Sequence, residues 1–173
     1  RAQVLLSLGE VHTDAAERPA PRLGIGGGEV LARDAHRTGR CIAQADEVMA
    51  GFGRTGRWFA VDHWDVVPDL MTMAKGLTSS YLPLGAVAMR DWISEAMNTK
   101  MFYGGLTYSS HPVSLAAALA TIEVYEEDDL IGNAARMGEV MRRHHEALAA
   151  RHPSVGAHRN IGLFGILDLV RSQ

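Results

Sequence analysis

Cysteine is nearly absent: Cys41 is the only one among 173 residues. A lone thiol excludes an intrachain disulfide and fits a reducing compartment. Lysine is almost as scarce, since Lys75 and Lys100 are the only two among the 17 basic residues and the rest are arginine. Long apolar runs are missing as well. None reaches the length that crosses a bilayer, and the first residues lack the basic-then-apolar order of a secretory signal. A net charge of −3 offers no general attraction to nucleic acid or to an acidic membrane surface. The cytoplasm is the expected location, by default rather than from a targeting signal. What is present is an ordinary soluble composition, 47% hydrophobic and 21% charged, in a chain long enough for one core and, as a first expectation, one domain.

The scarcity of lysine makes Lys75 informative. Where the chain needs only positive charge it uses arginine, whose guanidinium stays protonated and is a poor nucleophile; a primary amine in a partly dry site can lose its proton and attack a carbonyl. Leu70, Met71, Met73 and Ala74 form a short apolar run that predicts a buried strand, and Lys75 with Gly76 closes it where strand gives way to loop. Most lysines are simply solvated. From this stretch alone both readings stand.

Over Arg1 to Gln44 large apolar residues become sparse after Val4 to Leu8, no period of two or of 3.6 holds, and Gly, Arg and Pro accumulate. No regular element is supported there. Gly24, Gly26 and Glu29 begin a phosphate-loop spacing, but the third glycine is missing, and linker or disorder is the better reading. From Ala45 the character changes. Asp46 and Glu47 point to opposite faces of a strand and cannot pair as acid and base within it. Taken by itself, Asp46 reads as a loop cap. The turn-rich GFGRTGRW follows, then an aromatic patch over Trp58 to Trp64 that reads as packing. Ala86 to Met89 predict another strand, Asp91 a cap for a helix starting near Trp92, and Pro112 the first turn of a helix with a small-residue body. A second helix carries Leu130, Ala134, Met137, Met141 and Leu148 on one stripe and ends before Pro153. His144 and His145 beside it lack partners at a metal-ligand spacing and read as solvated; no metal site is predicted. Ile161 to Val170 read as a strand covered on both faces.

Asp46, Lys75 and Thr107 ask for a common explanation, because each interval between them suits one strand-and-loop excursion back to the same sheet edge. ADEVMAGFGRTGRWFAVDHW, PDLMTMAKGLTSSYLPLGAV, FYGGLTYSSHPVSLAAALATIEVYE and RNIGLFGILDLV resemble, in this order and spacing, the class III (omega) aminotransferases that depend on pyridoxal phosphate. The resemblance runs from about Ala45 to Arg171.

It implies the α/β large domain of fold-type I, a mixed and mostly parallel sheet flanked by helices, incomplete and followed by the start of a small C-terminal domain. Residues 45–128 would belong to the cofactor-binding domain and 129–173 to a connecting helix and first strand of the small one, with 1–44 unmatched. It further implies that Lys75 forms the Schiff base with pyridoxal 5'-phosphate, and later moves a proton between substrate carbon and cofactor. Asp46 would face the pyridine nitrogen and keep it protonated. Val48 would pack against the ring, and Thr107 would reach the phosphate of the cofactor in a partner subunit, which calls for a homodimer. The implied reaction moves an amino group from an amine or omega-amino acid to a 2-oxo acid, in look closest to members that use pyruvate with taurine or β-alanine. Arg54 matches the family without a role assigned to it.

Departures are concentrated at the start. Ala43 and Gln44 stand where large apolar residues are expected, and the family's own-chain phosphate cradle and ring-stacking aromatic have no counterpart. A shifted reading frame or misplaced start accounts for such a break, as does a divergent N-terminus; the other two frames of the coding DNA separate them. Two further readings remain: a remnant that keeps Lys75 without holding the cofactor, and an aminomutase or decarboxylase using the same lysine.

Overall fold

The structure, a computed structural model, describes residues 3–5, 22–25, 28–35, 40–101 and 104–171. Its strands are β1 (Gln3–Leu5), β2 (Arg22–Ile25), β3 (Gly28–Ala35), β4 (Arg40–Asp46), β5 (Leu70–Met73), β6 (Ala86–Met89), β7 (Val155–Ile161) and β8 (Phe164–Leu169). The helices are α1 (Asp91–Met97), α2 (Pro112–Glu127) and α3 (Leu130–Arg151), with short 3-10 helices at Ala60–Trp64 and Lys75–Thr78. Six strands form one sheet in the order β1-β6-β5-β4-β3-β2, and β7 with β8 forms a separate hairpin.

The expected mixed α/β sheet is present, but its parallel part among the described residues is the β4–β5 pair alone; the other four pairings are antiparallel. The segment before Ala45, which supports no regular element as a sequence, contributes β1, β2 and β3. Register explains it: β3 lies antiparallel along β4 from Glu29 opposite Asp46 to Ala35 opposite Arg40, so the ladder supplies partners that no local pattern announces. Gly24 and Glu29 of the abortive phosphate-loop spacing face each other across β2 and β3, and Gly26 lies outside the described residues.

β5 and β6 form where predicted. Asp69 locks the start of β5, its Oδ2 accepting from the Ala43 N–H at 3.0 Å and its Oδ1 from the Trp92 indole at 3.3 Å. Phe52, Met73, Leu77, Ala86 and Ala118 make the buried core, with Phe59, Trp58 and Tyr125 packed against it. The aromatic patch is thus chiefly packing, as expected, although Trp64 remains 43% exposed. Pro112 opens α2, and the His111 ring caps it by accepting from the Val113 N–H. Asp91 is the first residue of α1 and not its cap, a place held by Arg90.

Two expectations fail in the C-terminal part. Ile161 to Val170 is not one strand: Gly162, at φ 53°, turns the chain back, and the Asn160 amide pins the turn by donating to the Gly162 and Gly138 carbonyls, each at 2.9 Å. Gly165, Ile166 and Leu169 of β8 are exposed, so the hairpin is not covered on both faces. On α3 the buried positions are Ala134 and Gly138, while Met137 faces outward. His144 is exposed as predicted, but His145 is half-buried, its ring 6.4 Å from that of His158 and its Nδ1 buried.

Candidate active site

The site begins at the carboxyl ends of two parallel neighbours. Asp46 is the last residue of β4 and stands opposite Thr72 of β5, whose chain reaches Lys75 two residues past its end. The crevice outside the carboxyl ends of parallel strands is where α/β sheets hold ligands. The Asp46 side chain is exposed, and its Oδ1 accepts from the Val48 N–H at 3.0 Å, which turns the chain away from the sheet.

Adjacent Glu47 points inward, as strand alternation requires, and is 1% exposed. Its two carboxylate oxygens accept from the Ala60 and Val61 N–H groups at 3.0 and 2.9 Å, capping the 3-10 helix at Ala60–Trp64. Burial pushes its carboxyl above the ordinary value of 4.5, against the pull of those two backbone donors. Glu47 thus fixes the far end of the GFGRTG loop.

That loop meets the lysine. Phe52 has a left-handed backbone at φ 56°, and a Cβ on Gly76 would lie 2.8 Å from the Phe52 Cβ, so glycine is what allows the two segments to touch. Lys75, Ser79 and Ser80 are all left-handed, at φ 40°, 47° and 63°. Such residues persist only where the surroundings hold them. Here the Ser80 N–H donates to the Lys75 carbonyl at 3.0 Å and the Ser79 N–H to the Gly76 carbonyl at 3.2 Å. Tyr125 of α2 completes the clamp: its hydroxyl donates to the Gly76 carbonyl at 2.8 Å and lies 3.0 Å from Ser79 Oγ. The lysine side chain is exposed, with Nζ 2.8 Å from Met49 Sδ.

A cavity of about 580 Å³ opens beside it, walled by Val48, Met49, Phe52, Lys75 and Tyr125 on one side and by Leu130, Phe164 and Ile166 on the other. Its charged lining side chains are Lys75 and Arg54, both cationic. Of the residues predicted from sequence, the fold brings Lys75 and Val48 into this wall. It sets Asp46 at the adjoining strand end, outside the lining. Thr107 is elsewhere, exposed on a turn before α2 in which the Ser109 N–H donates to the Leu106 carbonyl. Sequence reasoning passed over Glu47, Met49, Ser79 and Tyr125. Strand alternation already turns Glu47 inward, whereas nothing local marks Tyr125, which meets Gly76 from 49 residues away.

The class-III aminotransferase family profile matches residues 33–173. The chain belongs to that family. The match takes in β4 and the end of β3, where the sequence alone offered no resemblance. Class-III relatives include the putrescine–pyruvate aminotransferase of Pseudomonas aeruginosa, 44% identical over 75% of this chain and 28% of that protein. The taurine–pyruvate aminotransferase of Bilophila wadsworthia is 35% identical over 74% of this chain and 29% of its own length. Among solved structures, taurine:2-oxoglutarate aminotransferase from Bifidobacterium kashiwanohense, in complex with PLP and glutamate, superposes with a TM-score of 0.73 at 40% identity, over 76% of this chain and 29% of that one. The chain therefore spans less than a third of the length of these class-III relatives.

Proposed function

We propose that this chain carries the amine-bearing part of a pyridoxal 5'-phosphate site in a transaminase that moves an amino group from an amine or omega-amino acid to a 2-oxo acid such as pyruvate. The observation that carries the reading is the position of Lys75: it lines a 580 Å³ cavity together with Val48, just past the strand that runs parallel to the one Asp46 ends. Lys75 and Val48 fit the ring end of the cofactor, with Asp46 at the adjoining strand end outside the lining. The cavity has room for a small aromatic ligand, an amine for its carbonyl, and an apolar side chain for its face. A wall whose charges are both positive favours an anionic ligand.

The cofactor, when bound, supplies the electron sink for the carbon that gains or loses nitrogen. Lys75 would hold the cofactor through its amine, and that amine would carry the proton to and from the reacting carbon. Asp46, at the adjoining strand end, would hold the ring nitrogen protonated through a charge-assisted hydrogen bond. Val48 and Phe52 exclude water from one side. Thr107, exposed and outside this cavity, would serve the phosphate in a second copy, which makes a homodimer the working unit of this proposal. Residues 45–128 then belong to the cofactor-binding domain and 129–173 to the connecting helix and the opening of a small domain. Among the described residues no helix is long and apolar enough to cross a membrane.

The test is to add pyridoxal phosphate to the purified full chain, reduce with borohydride and map the modified peptide. Label on Lys75 and not on Lys100 is the expected result. Equal label on both, or none, returns the reading to a remnant that keeps the lysine without the site. Alanine formation from pyruvate with a panel of amines then separates transamination from aminomutase or decarboxylase chemistry.

A further inference from the structure

We propose that Tyr125 is a positioning residue that acts through Lys75: its hydroxyl sets the direction in which the lysine enters the cavity. The proposal rests on the reading of Lys75 as the reactive amine. Four observations carry it. The hydroxyl reaches both ends of the turn that bears the lysine, the Gly76 carbonyl at 2.8 Å and Ser79 Oγ at 3.0 Å. The turn contains Lys75, Ser79 and Ser80 in the left-handed region, a conformation that relaxes unless contacts outside the turn oppose it. The Tyr125 ring is itself held, stacked 6.3 Å from Phe52 and edge-on 6.2 Å from Trp58, so its hydroxyl is a fixed point rather than a free rotor. Phe52 is also the residue whose Cβ closes over Gly76, so ring and hydroxyl grip the same peptide from two sides.

Removing the hydroxyl leaves the ring and its stacking in place, frees the Gly76 carbonyl from its side-chain donor, and lets the Lys75 peptide leave the left-handed region. Nζ then samples directions out of the cavity. The chemistry of the amine is unchanged; the fraction of time it faces the ligand falls.

The experiment compares the wild-type chain with Tyr125→Phe and Ser79→Ala. One readout is the ratio of Lys75 to Lys100 labelling by pyridoxal phosphate with borohydride. The other is the induced circular dichroism of the bound cofactor per labelled Lys75, which reports the orientation of the attached ring and is read where far-UV dichroism shows both chains fully folded. In Tyr125→Phe the labelling ratio is expected to fall about five-fold, the population change one ordinary hydrogen bond sustains, with a weaker dichroic band. In Ser79→Ala, where the bond to Gly76 survives, a smaller fall is expected. A folded Tyr125→Phe with wild-type ratio and wild-type dichroism overturns the proposal. If that variant does not fold, an unchanged ratio and band in Ser79→Ala overturn it instead. Failure of the cofactor reading looks different, because the wild type itself then shows no preference for Lys75. In that case the Lys75 to Lys100 ratio with acetic anhydride decides: an unchanged ratio in Tyr125→Phe removes the positioning role, and a changed one keeps it.

Discussion

A carboxylate with 1% of its surface exposed and two backbone donors on its oxygens is a high-stakes group. Glu47→Ala strands the Ala60 and Val61 N–H groups and is expected to lower stability by about 2–6 kcal/mol, given about 1–3 kcal/mol for each buried donor left without an acceptor; urea unfolding at neutral pH measures it. The pH dependence has a definite sign. Burial raises this carboxyl above 4.5 in the folded chain, so the folded state holds the proton more tightly than the unfolded one. The margin of wild type over Glu47→Ala is therefore largest below the unfolded value and shrinks as pH rises through the raised folded value. A margin that instead grows from pH 4 to 7 contradicts the assignment. At this scale Lys75 stood out because lysine is rare here, while Asp46 by itself read as a loop cap, as its bond from the Val48 N–H bears out, and its proposed role came from the family resemblance. Tyr125 was not: its partners are remote in sequence, and a tyrosine within a helical run looks like packing.

Among the elements, a close approach joins α3, the β7–β8 turn and the GFGRTG loop. A Cβ on Gly138 would fall 2.6 Å from the Gly162 Cα, and one on Gly162 would fall 2.4 Å from the Thr55 carbonyl carbon. Both obstacles are backbone, which cannot swing aside. Gly138→Ala is expected to cost about 1–3 kcal/mol as overpacking, and Gly162→Ala more, because φ 53° adds strain of about 1 kcal/mol or above. Gly105→Ala, with nothing within 4 Å, is the control and should stay within about 0.5 kcal/mol of wild type in the same thermal melts. These contacts also explain what the periodicity hid. On α3 an apolar stripe through Met137 suggested itself, but backbone contact with Gly162 demands the smallest residue, so Gly138 takes the buried position. Gly162, inside what looked like a continuous apolar strand, was the turn.

For the molecule as a whole, α2 is apolar around most of its circumference yet leaves Val113 57% and Leu119 65% exposed, beside Leu106 and Tyr108 on the turn that holds Thr107. A helix apolar on nearly all sides is ordinarily covered. Given the proposed homodimer, sedimentation of the purified chain should show a dimer, and Leu119→Glu should weaken it at least about ten-fold, the cost of placing a charge in an apolar contact; a monomer at every concentration contradicts the second-copy role of Thr107. The family was legible from four ordered segments beginning at Ala45. The sheet was legible only in part, because β1 is fixed by pairing with the distant β6, and β2 and β3 by pairing with neighbouring strands rather than by any apolar period of their own.

The two clamps differ in the length of chain they close. Glu47 reaches partners 13 and 14 residues away, whereas Tyr125 reaches the lysine turn across 46 and 49. Short loops close sooner and at less entropic cost. During refolding the acidic anchor should therefore protect the Ala60 and Val61 amides before the Ser79 and Ser80 amides slow their exchange. Chemistry would then be switched on last, after the scaffold has already committed itself.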